Sequence, residues 1–60
     1  MSAVYNPESD IIAEIERMEI EARKLRRRQE QAKSEDDKRV LARLLAETED
    51  NIKALRSRLP

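Results

Sequence analysis

The 60-residue chain contains no cysteine, histidine, glycine, phenylalanine or tryptophan, and a single tyrosine is its only aromatic residue. Each absence removes a class of chemistry. Without cysteine there is no disulfide staple, no thiol nucleophile and no thiolate metal site. Without histidine the commonest general base and the usual transition-metal ligand are missing. Without glycine there is neither a phosphate-cradling loop nor a calcium loop. No catalytic residue, cofactor or metal is therefore expected, and the chain reads as a non-enzyme. No apolar run approaches the roughly 20 residues that span a bilayer. The first ten residues lack the basic-then-apolar order of a secretion signal. The expectation is a cytoplasmic protein with no membrane partner.

What is present is charge and helix-forming side chains. Charged residues make up 43% of the chain, and 13 bases balance 13 acids. Ala, Leu, Glu, Lys, Arg, Gln and Met dominate, all good helix formers. Sixty residues bound a single small domain near the lower limit for folding alone. With no staple available, oligomerisation or docking on a partner is the remaining route to stability.

The apolar pattern is organised about the polar break Lys33-Ser34-Glu35-Asp36-Asp37. Before it, Ile11, Ile15, Met18, Ala22, Leu25, Gln29 and Ala32 follow at spacings of four and three. After it, Leu41, Leu45, Thr48, Ile52, Leu55 and Leu59 do the same. Paired across the break, the numbers of each couple sum to 70, from Ile11 with Leu59 to Gln29 with Leu41. Two helices folded back on one another along an a/d seam give this mirror pattern. One unbroken helix is the alternative, because neither glycine nor proline interrupts residues 8 to 59. Phase argues against it: from Gln29 to Leu45 the seam would turn by roughly 160° at 100° per residue.

The fold class is thus all-α, an antiparallel two-helix hairpin expected to dimerise into a four-helix bundle. Residues 1–6 are expected to form a tail. Asn6-Pro7-Glu8 reads as a helix start, with Asn as N-cap and Pro at the first helical position. Helix 1 is expected over about 7–32, the turn over about 33–35 and helix 2 over about 35–59. Ser34 is a good N-cap, and Asp37 stands where a capping box places its acid. Glu35-Asp36-Asp37 therefore reads as capping rather than as a cation site.

Some apolar residues lie off the seam. Ile12, Ala13 and Ile20 are on the outer flank of helix 1, and Val40 with Leu44 forms an i, i+4 pair beside the helix 2 seam. They are read as a second interface. Charge is split as well: residues 1–22 carry a net −5 and residues 23–43 a net +5. An antiparallel homodimer would set the basic half of one hairpin against the acidic half of the other. It is expected to bring Val40 and Leu44 near Ile12 and Ile20 of the second copy. Among the flanking charges, Glu14 is expected to meet Arg58, and Glu19 to face Glu49 unfavourably.

One run stands out, Arg23-Lys24-Leu25-Arg26-Arg27-Arg28, five bases in six residues. Such a run is most often a solvated face or a docking site for an acidic partner, and less often a nucleic-acid surface. The functional expectation is a small interaction protein, an adaptor or regulator, that self-associates and binds a protein partner. Arg23, Arg26, Arg27 and Arg28 are the expected electrostatic contacts. Ile12, Ile20, Val40 and Leu44 are the expected apolar contacts of dimer or partner. The alternative is a nucleic-acid-binding regulator using the basic half near the turn.

Overall fold

In a computed structural model that describes residues 7–60, the chain is two α-helices, α1 (Pro7–Gln31) and α2 (Glu35–Arg56), packed against each other. The hairpin is a thin slab of 55 × 20 × 11 Å. No strand occurs among the described residues. The expected N-cap Asn6 and the tail before it lie outside those residues.

α1 starts at Pro7, whose fixed φ suits the first helical position. Glu8 and Asp10 place negative charge at its positive end. The helix closes at Gln31, and the Ala32 N–H donates to the Gln29 carbonyl at 3.3 Å. The chain then reverses through Ala32, Lys33 and Ser34. No described residue has a positive φ, so the turn needs no glycine.

Ser34 caps α2 as its position implies. Its backbone is extended (φ −104°, ψ 144°), and its hydroxyl accepts the Asp37 N–H at 3.0 Å. Only this half of the capping box forms, because the Asp37 side chain is shorter than Glu or Gln. Asp36 and Glu35 pair instead along the helix, with Arg39 at 3.7 Å and Lys38 at 3.8 Å.

α2 ends at Arg56, short of the expected 59. The last turn tightens: Arg58 N–H donates to Leu55 O at 3.0 Å and Leu59 N–H to Arg56 O at 3.1 Å. Ser57 competes with the helix, its hydroxyl donating to the Ala54 carbonyl at 2.6 Å. Tightening to i→i+3 bonds still keeps Leu59 half-buried on the seam.

Every residue assigned to the seam is buried or half-buried. Among the described residues, Ile15, Ala22, Leu25 and Ile52 are the buried hydrophobic set. Ile11, Met18, Leu45, Leu55 and Leu59 pack against the cluster of Ile15, Ala22 and Ile52. Thr48, polar on an apolar seam, is satisfied internally: its hydroxyl donates to the Leu44 carbonyl at 2.9 Å.

Candidate functional site

A slab of two helices has two broad faces, and residues flanking the seam on either side line them. On one, here called the bridged face, Glu19, Ala22, Arg23, Arg26, Glu49, Ile52, Lys53 and Arg56 line a groove of about 480 Å³. Arg26 donates to Glu49 at 2.6 Å, and Arg56 donates to Glu19. As residue number rises along α1, the partner's number falls along α2, which fixes the antiparallel sense.

These bridges overturn the expectation that Glu19 faces Glu49. The error lies in applying the seam sum of 70 to the flank. A helical side chain leans toward the N-terminus of its own helix, and in an antiparallel pair the two leans are opposed. Long flanking side chains therefore meet from residues whose numbers sum higher, 75 in both bridges. Glu14 makes its ion pair within α1, with Arg17, although it lines one cleft with Arg58.

The bridges also expose an internal repeat. Residues 19–26 and 49–56 share the pattern Glu-x-x-[Ala/Ile]-[Arg/Lys]-x-Leu-Arg, thirty residues apart. Each copy's Glu binds the other copy's final Arg across the seam. The groove is thus nearly two-fold symmetric, with Arg23 and Lys53 at corresponding positions and no ion pair at either. A search for repeats in the sequence would have found this pattern.

The opposite side, the cleft face, holds two shallow depressions. Near the turn, Arg28, Gln31, Ala32, Asp37, Val40 and Leu41 surround one. Toward the open end, Glu14, Met18, Asn51, Ala54, Leu55 and Arg58 surround the other.

The expected contact residues fall into separate groups on this frame. Leu25 is buried, so the basic run divides around it. Arg23 and Arg26 lie on the bridged face, and Arg28 lies on the cleft face. Arg27 follows Ile20 by one heptad and shares with it the outer edge of α1. Arg26 is committed to Glu49, whereas Arg23, Arg27 and Arg28 make no ion pair.

The apolar set divides too. Ile12, Ile20, Val40 and Leu44 are exposed at 47, 47, 58 and 44%. Val40 lines the cleft near the turn, and Leu44 stands one heptad before Asn51 on the same face. Ile12 stands one heptad before Glu19, on the bridged face, and Ile20 is on the outer edge of α1. A flat two-fold contact cannot hold both pairs, so the expected meeting of Val40 and Leu44 with Ile12 and Ile20 of a second copy does not fit this geometry.

Among the described residues no three His, Cys, Asp or Glu side chains converge in a way that would hold a metal ion. No helix is long and apolar enough to cross a membrane. Comparison with protein-family models, with curated proteins and with solved structures finds no match.

Proposed function

We propose that the chain is a small non-catalytic helical interaction protein, an adaptor or regulator, that self-associates and docks on a protein partner. The observation that carries this reading is the exposure of Ile12, Ile20, Val40 and Leu44 on a hairpin with four buried hydrophobic residues among those described. Two of the four are on the cleft face and two are not, so more than one apolar contact is served. Single exposed apolar residues are ordinary on protein surfaces. Four large ones on so small a core mark surfaces awaiting cover.

The protein partner is acidic. Arg23 and Lys53 sit unbridged in the groove, and Arg27 stands outside it. Arg26 contributes by holding the groove together rather than by meeting the partner. A nucleic-acid reading is favoured by one observation: Arg23, Lys24, Arg27, Arg28, Lys33 and Arg43, all in the half near the turn, make no ion pair among the described residues.

Salt separates the two. Phosphate binding releases counterions, so affinity for an oligonucleotide falls by orders of magnitude, about 10³-fold for six contacts, between 50 and 200 mM salt. The test compares binding of an acidic amphipathic peptide and of single- and double-stranded RNA, with Arg23→Glu/Arg27→Glu as the variant. The protein-partner reading expects peptide binding that the variant abolishes, and no RNA binding at 150 mM salt. Tight, steeply salt-dependent RNA binding would replace it with the alternative.

A further inference from the structure

The groove on the bridged face holds more positive charge than it neutralises. Its charged walls are Glu19 and Glu49 with Arg23, Arg26, Lys53 and Arg56, two acids against four bases, on a chain whose net charge is zero. Both acids are engaged in the bridges to Arg56 and Arg26. The surplus therefore rests on Arg23 and Lys53. Each stands four residues after a glutamate of its own helix, the spacing at which ion pairs form along a helix. The bridges across the seam withhold those glutamates, and neither cation has an ion pair.

Their placement sets these two cations apart from the rest of the basic residues. The residue numbers of each bridge sum to 75, and those of Arg23 and Lys53 sum to 76. The opposed leans that bring the bridging side chains together thus bring Arg23 and Lys53 to a common level on opposite walls. The bridges flank them, seven residues apart along each helix, or roughly 10.5 Å. At its centre the groove is a couple of like charges above a floor of Ala22 and Ile52. Ala22 is the smallest of the buried side chains, which leaves depth at that point. Toward the turn the α2 wall stays low, because Ala42 and Ala46 stand one heptad before Glu49 and Lys53.

We propose that this groove seats a helix of an acidic protein partner, with two carboxylates one turn apart between Arg23 and Lys53. The acidic partner is the one already proposed, and the inference rests on that reading; the groove, the helical form and the spacing of the acids are new. At 100° per residue, acids three or four apart lie within roughly 40–60° of each other around a helix. One then leans to the α1 wall and the other to the α2 wall. Two carboxylates also match a surplus of two cations. A helix lying between two others at the usual interaxial distance of roughly 8–10 Å touches both walls and the floor. A nucleic-acid backbone is the poorer fit, because phosphates running along the groove meet Glu19 and Glu49 as well.

Two synthetic peptides of one composition test the spacing. Both are helical, rich in Ala and Gln, and carry two Glu, four residues apart in one and two apart in the other. Two residues turn a helix by roughly 200°, so the second peptide presents a single carboxylate to the groove. At 50 mM salt the first is expected to bind about fivefold tighter or more, since only it meets both cations. It is also expected to shift the amide NMR signals of Ala22, Arg23, Ile52 and Lys53 rather than those of the cleft face. Arg23→Glu/Lys53→Glu is expected to lower that affinity about tenfold or more, and to bind instead the same peptide with Lys for both Glu. Lys24→Glu/Arg28→Glu, an equal change of charge away from the groove, is expected to stay within about threefold of the native chain.

Equal affinity for the two peptides, or equal losses in the two variants, overturns the groove and leaves an acidic partner standing. Binding of neither peptide at millimolar concentration overturns both. RNA binding that Arg23→Glu/Lys53→Glu removes, with neither peptide bound, would replace the acidic helix with a nucleic acid.

Discussion

Ile52 is the side chain on which the seam turns. It is 7% exposed, sits among Ile15 and Ala22, and forms part of the floor of the bridged groove. Truncating a buried Ile to Ala removes its transfer energy and leaves a cavity, together about 2–4 kcal/mol. Ile52→Ala is therefore expected to lower the urea midpoint steeply, or to abolish helicity where the hairpin has less than that to lose. Leu44→Ala, at a residue 44% exposed, is expected to leave the fold of the hairpin intact and to weaken only the dimer. The seam was legible at this scale because apolar spacing alone reports which side chains are buried. The flanking ion pairs were not. Glu19 and Arg56 meet through the lean of their side chains, a displacement along the axis that residue numbering does not display.

The helices owe their limits to caps more than to composition, since good helix formers continue through the turn. Ser34 is the decisive residue: its hydroxyl accepts the Asp37 N–H, and three acids follow at the positive end of α2. Ser34→Ala is expected to cost about 1 kcal/mol, read as a lower thermal midpoint with unchanged dimer geometry. The start of α2 could be read from this Ser and its acids. Its end could not, because Lys53, Arg56 and Arg58 favour a helix terminus anywhere in that turn, and the Ser57 hydroxyl settles it by bonding back to Ala54. Most of the stability of these helices of 25 and 22 residues comes from packing their apolar faces together, so each element depends on the other.

At the scale of the molecule, two faces of one slab carry different instructions. The bridged face closes its charges within the chain through two reciprocal ion pairs, worth little individually at their exposure but consistent in sense. The cleft face leaves Glu21 and Arg28 without an ion pair within the chain, beside the apolar pair Val40 and Leu44. The block asymmetry of charge pointed toward an antiparallel pair from the sequence. Which apolar residues belong together did not follow from it, since Ile12 and Val40 look alike along the chain and lie on opposite faces once it is folded.

The most direct measurement is sedimentation equilibrium across micromolar to high-micromolar concentration, with helicity recorded on the same samples. The account expects twice the 7.1 kDa chain mass and full helicity together, both falling on dilution. A stable helical species of one chain mass at every concentration would contradict it.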